Sequence, residues 1–133
     1  MIASENDRVF RFENRIHRTI VTDQLLLKQL MTILFDNAIK YTEDDGHVTF
    51  TVRTNDRHLY ISVADNGPGI SDSDKKKIFD RFYRVDKART RQKGGFGLGL
   101  SLAQQIVLAL KGTIVVKDNQ PKGTIFEVKI TGV

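Results

Sequence analysis

The sequence contains no cysteine, which excludes disulfide frameworks, thiolate zinc sites and a cysteine nucleophile together. It also lacks any apolar run of the roughly 18 residues needed to cross a bilayer. The first seven residues do not show the basic and then apolar layout of a signal peptide. These absences indicate a protein, or a piece of one, that is cytosolic in character.

The composition is that of one folded domain. The chain has 133 residues, of which 40% are hydrophobic and 28% are charged, and this is enough apolar material to build a core. Internal repeats, low-complexity tracts and interdomain linkers are not visible. We therefore expect a single domain over residues 1–133.

The positive charge is concentrated in one segment. The formal net charge is +5, from 21 basic and 16 acidic residues. Residues 75–93 contain nine basic and two acidic side chains, a local charge of +7, and the remaining chain is at −2. A general nucleic-acid surface would spread its cations more evenly, so this pattern favours a local anionic ligand. Lys75, Lys76 and Lys77 are expected to form a solvated helix face.

Hydrophobic periodicity predicts alternating strands and helices. A long mobile loop is expected over residues 83–97, which have no periodicity and include adjacent glycines. The predicted elements are a hairpin or two edge strands over residues 9–13 and 19–21, a helix over 23–41, antiparallel strands around 48–52 and 59–63, a short polar helix over 71–79, a helix over 98–110, and a final hairpin of 113–116 and 124–130.

Two glycine-rich motifs offer binding chemistry. Asp65-Asn66-Gly67-Pro68-Gly69-Ile70 follows a predicted strand directly, so its glycines would let the backbone approach a flat ligand beside a carboxylate. Gly94-Gly95-Phe96-Gly97-Leu98-Gly99-Leu100 precedes a helix and offers backbone N–H groups to an anion. Taken singly, each motif is more typical of a plain loop.

Taken together with two further motifs, these segments resemble the ATP-binding catalytic domain of sensor histidine kinases, in the GHKL (Bergerat) ATPase superfamily. The resemblance covers about residues 23–130. The N box is similar to residues 34–42 (LFDNAIKYT), the first glycine box to residues 65–70, the F box to residues 78–84 (IFDRFYR), the second glycine box to residues 95–100, and the closing Gly-Thr motif to residues 123–126.

The resemblance implies roles for individual residues. Asn37 would be the Mg²⁺ ligand, since an amide oxygen is a hard neutral donor. Lys40 would meet a phosphate while Tyr41 covers the adenine. Asp65 would accept from the exocyclic amino group of adenine, and Thr124 would support the same network. The other implied ATP-binding residues are Gly67, Gly69, Ile70, Arg84, Arg89, Gly95, Gly97, Leu98, Gly99 and Leu100. For Arg89, a solvated basic face is an equal alternative. Phe79 and Phe82 are expected to pack the base of the loop.

One position departs from the family pattern. Histidine kinases often carry a second Asn one helical turn before Asn37, and hydrolytic relatives carry a Glu there as the base. Ile33 occupies this position, and an alkyl group cannot polarise water. We therefore expect no catalytic base, and no catalytic residue, within this domain. The three histidines, at positions 17, 47 and 58, lack the context of a phosphoacceptor and are expected to be ordinary strand and turn residues.

The sequence thus predicts an α+β fold, a two-layer α/β sandwich of the Bergerat type. About five strands form a mixed, mainly antiparallel sheet, with three helices on one face and a flexible ATP lid. The implied cofactors are ATP and Mg²⁺. The implied function is transfer of the γ-phosphoryl group to a histidine on a dimerisation domain that this chain lacks, for relay to a response regulator.

Several expectations follow about the context of the chain. It would be the cytoplasmic domain of a membrane-anchored sensor kinase, with membrane contact only through the parent, and it is expected to be monomeric when isolated. A degenerate, non-catalytic nucleotide-binding or protein-docking module is the alternative. Nucleic-acid binding is a weaker rival, and we expect none.

Overall fold

The computed structural model describes residues 2–5, 8–42, 46–83 and 99–133. In this part of the chain, six strands form one sheet in the order β1-β2-β3-β4-β6-β5. Three helices accompany them. The strands are β1 (Ile2–Glu5), β2 (Arg8–Arg15), β3 (His47–Asn55), β4 (His58–Asp65), β5 (Gly112–Asp118) and β6 (Thr124–Thr131), and the helices are α1 (Gln24–Tyr41), α2 (Asp72–Lys75) and α3 (Gly99–Ala109).

The sheet is mixed and mainly antiparallel, as predicted. Strands β2 and β3 pair in parallel, with α1 as the crossover between them. The other four pairings are antiparallel. In the register, Asp65 pairs with Val48 and Thr124 pairs with Asp118. The end of β4, the end of β5 and the start of β6 therefore meet at one edge of the sheet.

The core lies between one face of the sheet and the helices. Alternate residues of β3, β4 and β6 are buried, as expected for strands that pack on one face. They meet the buried side of α1 and α3, which includes Leu30, Leu34 and Val107. Phe10, Phe12, Phe35 and Phe50 form a group of stacked and tilted rings with centroid separations of 5.2–6.4 Å. The two-layer α+β fold is thus confirmed.

Helix α1 begins where the sequence predicts. Asp23 is the N-cap residue, and its Oδ1 accepts a hydrogen bond from the backbone N–H of Leu26 at 3.0 Å. This bond satisfies one of the amides that the first turn leaves without a partner. Among the described residues, no helix is long and apolar enough to cross a membrane.

The prediction for residues 19–21 was wrong. They form no strand, and β2 instead pairs with β1, one strand more than the five or so expected. A parallel crossover requires the chain to leave the sheet after β2, so this segment connects β2 to α1. It is held by Arg18, whose guanidinium donates to the backbone oxygens of Val133 at 2.7 Å and Asn55 at 3.2 Å.

Helix α2 is shorter than the predicted span of 71–79. Ser71 caps it, with its Oγ accepting from the backbone N–H of Asp74 at 3.2 Å. Beyond Lys75 the chain continues in turns, with bonds from Lys77 N–H to the Asp74 oxygen and from Asp80 N–H to the Lys77 oxygen. Each of these bonds joins residues three positions apart, as in a 3₁₀ turn, and not four as in an α-helix. The chain is therefore wound more tightly here, and the α-helical geometry ends.

Candidate functional site

Asp65 is the centre of the candidate site. It is the last residue of β4 and only 6% exposed. Its Oδ1 accepts two backbone hydrogen bonds, from Gly67 at 2.9 Å and from Thr124 at 3.2 Å. Burial raises the pKa of the Asp65 carboxyl above its ordinary value, and the two hydrogen bonds act in the opposite direction. The carboxylate is therefore fixed in direction and poorly hydrated.

The turn after Asp65 is attached to the neighbouring strand. The backbone N–H of His47 donates to Oδ1 of Asn66 at 2.8 Å. In return, the backbone N–H of Asn66 donates to the oxygen of His47 at 3.2 Å. This reciprocal pair fixes the direction in which the chain leaves β4. The first glycine box is thus a positioned turn and not a free loop.

Glycine is required where the β5–β6 turn approaches this segment. Gly123 has a φ of +111°, and a Cβ there would lie 1.9 Å from the backbone oxygen of Asp65. Gly69 has a φ of +82°, and its Cβ would lie 3.5 Å from the oxygen of Gly123. The left-handed backbone at both positions favours glycine. The structure thereby brings Asp65, Gly67, Gly69 and Thr124 together, although they come from two distant parts of the sequence.

Helix α1 carries the proposed metal ligand. Asn37 and Lys40 are both partly buried and lie three residues apart, hence on adjacent turns of the same side. Tyr41 is the last residue of the helix. No three acidic or histidine side chains cluster as a metal site in the described ranges. The role of Asn37 as a metal ligand stays a prediction from the motif.

Ile33 occupies the junction between α1 and the start of α3. It is partly buried against the core, and its Cγ2 would lie 3.6 Å from a Cβ placed on Gly99. Gly99 is exposed and is the first residue of α3, while Leu100 and Ile70 pack against the core from partly buried positions. Position 33 is thus occupied by a partly buried alkyl side chain near the start of α3.

Two predictions next to α2 and the F box were wrong. Lys75 does not belong to a solvated face: its side chain is only 16% exposed, and its Nζ lies 2.6 Å from Asp118 Oδ1 and 2.9 Å from Asp72 Oδ1. Phe82 does not pack the base of the loop, because it is 63% exposed with a φ of +66°.

The anchoring role falls to the residues on either side of Phe82. Phe79 packs edge-on against Phe126 with ring centroids 6.5 Å apart, as predicted. Tyr83 donates its hydroxyl to Asp74. This bond raises the pKa of Tyr83 and lowers that of Asp74. The chain is therefore attached to α2 immediately before residues 84–98.

Five predicted site residues lie outside the described residues, namely Arg84, Arg89, Gly95, Gly97 and Leu98. The three histidines fit the expectation of ordinary positions. His17 lies between β2 and α1, while His47 and His58 are the first residues of β3 and β4.

A pocket of 480 Å³ lies between the first glycine box and the β5–β6 turn. Its lining combines Pro68, Gly69, Ile70 and Ser71 with residues 118–123. Neither Asn37 nor Asp65 is among the described residues that line it. Two of its lining residues, Asn119 and Gly123, lie against the backbone oxygen of Asp65.

Sequence reasoning missed Asn119 at this site. Its Nδ2 donates to the backbone oxygen of Asp65 at 2.7 Å, a contact between residues 54 positions apart. The sequence showed only a turn containing asparagine, proline and glycine, and this pattern is common. No local signal could have indicated which strand end the side chain would reach.

Comparisons with known proteins agree with this geometry. A family model described as histidine kinase-, DNA gyrase B-, and HSP90-like ATPase matches residues 22–132. The chain is 82% identical over 130 residues to the sensor protein CiaH of Streptococcus pneumoniae. Within the family, the sequence is predicted to be CiaH-like, and this identity confirms the prediction. The match covers 98% of this chain but only 29% of the length of CiaH.

Solved structures show the same fold. The mycobacterial sensor histidine kinase MprB matches with a TM-score of 0.77 and 30% identity, over 92% of this chain and 84% of that one. Histidine kinase ThkA, solved in complex with the response regulator protein TrrA, matches with a TM-score of 0.71 and 26% identity. That match covers 93% of this chain and 34% of the other.

Proposed function

Because the chain belongs to the family of histidine kinase-, DNA gyrase B- and HSP90-like ATPases, we propose that it is the ATP-binding catalytic domain of a sensor histidine kinase. Domains of this family bind ATP. The reaction would break the bond between the γ-phosphorus of ATP and its bridging oxygen, releasing ADP. A new P–N bond would form to a histidine on a separate dimerisation domain, and the phosphoryl group would pass on to a response regulator.

The observation that carries this proposal is the buried carboxylate of Asp65. Oδ1 accepts both backbone hydrogen bonds, and these two contacts therefore also set the direction of Oδ2. A fixed acceptor beside a glycine turn suits the exocyclic amino group of adenine. A 6-oxo base would present an acceptor to this acceptor, and so would be rejected.

Magnesium and the phosphates would be held from α1. Asn37 offers a neutral amide oxygen, which fits an ion that completes its shell with phosphate oxygens and water. Lys40, on the same side of the helix, would meet a phosphate. Once bound, Mg²⁺ supplies charge neutralisation on the transferred group, which is most of what phosphoryl transfer asks of a protein.

The chain would need a partner domain to complete the reaction. Ile33 is an alkyl side chain that packs against the core, so it cannot act as the base that activates water. Each of the three histidines belongs to a strand start or a connecting segment. We therefore place the phosphoacceptor on a dimerisation domain elsewhere in a membrane-anchored parent kinase, with this domain in the cytoplasm and monomeric when isolated.

Calorimetry tests nucleotide binding by this chain. ATP should bind, and added Mg²⁺ should tighten the binding of ATP but not that of adenosine, because adenosine has no phosphates for the ion to bridge. Absence of ATP binding with and without Mg²⁺ would remove both the kinase and the nucleotide-docking proposal.

A second experiment separates the kinase from a non-catalytic module. The chain is mixed with a dimerisation domain from a homologous sensor kinase and with ATP labelled at the γ-phosphate. Label should appear on the histidine of the added domain and should be lost when that histidine is replaced by alanine. A chain that binds ATP but leaves the histidine unlabelled would be a docking module.

A further inference from the structure

We propose that Asn119 is a positioning residue for base selection, acting through the backbone of Asp65. The inference rests on the proposed adenine nucleotide binding. Asn119 lies just after β5 and does not belong to any of the boxes that carry the family resemblance. Its side-chain Nδ2 donates to the backbone oxygen of Asp65 at 2.7 Å. It thus contacts the residue that would read the base, without contacting the base itself.

The orientation of the Asn119 side chain is fixed by its own turn. Its Oδ1 accepts from the backbone N–H of Gln120 at 2.8 Å, and its backbone N–H donates to the oxygen of Gly123 at 3.0 Å. If the amide were reversed, Nδ2 would face the N–H of Gln120 and Oδ1 would face the oxygen of Asp65. Both contacts would then be repulsive, so only the observed orientation satisfies the network.

The same turn holds Asp65 at two further points. The backbone of Gly123 approaches so closely that a Cβ there would lie 1.9 Å from the Asp65 oxygen. The backbone N–H of Thr124 donates to Oδ1 of the Asp65 carboxylate at 3.2 Å. Asn119 therefore fixes the main chain of Asp65, while Thr124 fixes its side chain. A rotation of the Asp65 peptide would turn the carboxylate away from the direction in which it can accept from a base.

This geometry predicts an effect on base selection and not on nucleotide binding in general. Only the contact to the 6-amino group depends on the direction of the carboxylate, while contacts to the phosphates come from other elements. Inosine triphosphate carries the same phosphates and sugar as ATP but has an oxygen at position 6. The ratio of the two dissociation constants therefore reports the position of Asp65 alone.

The test measures the dissociation constants of ATP and inosine triphosphate by calorimetry for three variants. Asn119→Ala removes the side chain, whereas Asn119→Asp keeps the acceptor for Gln120 but places an oxygen against the Asp65 oxygen. Lys122→Ala is the matched control, because Lys122 is an exposed residue of the same turn. Both Asn119 variants should bind ATP about tenfold more weakly, which is the loss of one hydrogen bond to a fixed group. Their affinity for inosine triphosphate should change less than twofold, and Lys122→Ala should keep the wild-type ratio.

Each other outcome overturns the inference. Equal weakening of both nucleotides in the Asn119 variants would mean that Asn119 only supports the fold. An unchanged ATP affinity would mean that the hydrogen bond from Asn119 does not determine the position of the Asp65 carboxylate. A wild-type chain that binds neither nucleotide would overturn the proposed function as well, whereas a wild-type preference for ATP that survives in the Asn119 variants would overturn this inference alone.

A measurement on the wild-type chain keeps the inference testable if the variants do not fold. The side-chain amide protons of Asn119 should shift in nuclear magnetic resonance spectra when ATP is added, because their acceptor belongs to the base-reading residue. Inosine triphosphate should shift them less. Identical shifts with both nucleotides, or none with either, would contradict the positioning role.

Discussion

The backbone N–H of Thr124 donates a hydrogen bond to the buried carboxylate of Asp65 at 3.2 Å, although 59 positions separate the two residues. The contact exists because β4 and β6 are neighbours in the sheet, with Ala64 paired to Ile125 just inside it. The pairing places the first residue of β6 beside the last residue of β4. A strand register thus determines the direction of the group that would recognise the base.

Replacing Asp65 by Asn should weaken ATP binding while leaving the fold intact. The Asn oxygen can still accept from Gly67 and Thr124, but its amide presents a donor where the carboxylate offered an acceptor. The new side-chain amide and the amino group of adenine would then be two donors that face each other, and neither would have an acceptor. This costs at least the desolvation of one polar group, so the dissociation constant for ATP should rise about 10- to 100-fold. Calorimetry measures this, with Asp56→Asn in the exposed β3–β4 turn as the control. Equal loss in both variants would point to a general electrostatic effect.

The same substitution should change how stability depends on pH. Burial raises the pKa of Asp65 in the folded chain, so between its ordinary pKa and the raised value the folded state binds more protons than the unfolded state. Stability contributed by this group therefore falls as pH rises through that interval. Asp65→Asn lacks this dependence, so its melting temperature relative to wild type should be highest at neutral pH and should decline as the pH falls.

Thermal melting of both proteins from neutral pH down to about pH 4 tests this expectation. The pKa values of Asp72 and Asp74 are lowered instead, chiefly by their side-chain hydrogen bonds with Lys75 and Tyr83. These two carboxyl groups are present in both proteins and cancel in the difference. If the melting temperature of Asp65→Asn instead rises relative to that of wild type as the pH falls, the folded state favours the charged form of Asp65.

Gly123→Ala should destabilise the fold more than Gly132→Ala. Both glycines have positive φ, +111° and +80°, but only Gly123 has a neighbour that a Cβ would strike, at 1.9 Å from the Asp65 oxygen. Gly132 has nothing within 4 Å, so its substitution carries the backbone penalty alone, about 1 kcal/mol. The free energy of unfolding should fall by about 3 kcal/mol for Gly123→Ala, as measured by urea denaturation. Equal losses would show that the turn yields to the added methyl group.

The fold and the centre of the site could be predicted because their signals are local. Strict alternation in β3 and β4 indicates half-buried strands, and Asp23 ahead of an apolar helix indicates a cap. The motif around Asp65 lies within six consecutive residues. By contrast, residues 19–21 are as strand-like as any short segment, and only the parallel pairing of β2 with β3 shows why they stay outside the sheet.

Sequence reasoning missed two contacts that join distant parts of the chain, Asn119 with Asp65 and Lys75 with Asp118. Nothing near Asn119 in the sequence shows that its amide reaches Asp65. Likewise, Lys75 belongs to a run of three lysines that is typical of a solvated face. Its partner Asp118 comes from the far end of β5, so the ion pair depends on the packing of α2 against the β5–β6 turn.

This ion pair gives a last prediction, because it links α2 to the β5–β6 turn that holds Asp65. Nζ of Lys75 lies 2.6 Å from Asp118 and 2.9 Å from Asp72, and these two carboxylates raise the pKa of the lysine. Lys75→Met keeps the apolar stem and removes the charge, so the melting temperature should fall slightly at low salt. The gap to wild type should close at high salt, because partly exposed pairs are screened. Lys76→Met, at the exposed neighbour, should show no such dependence, and a loss for Lys75→Met that persists unchanged at high salt would mean that the stem, and not the charge, holds α2 to the turn.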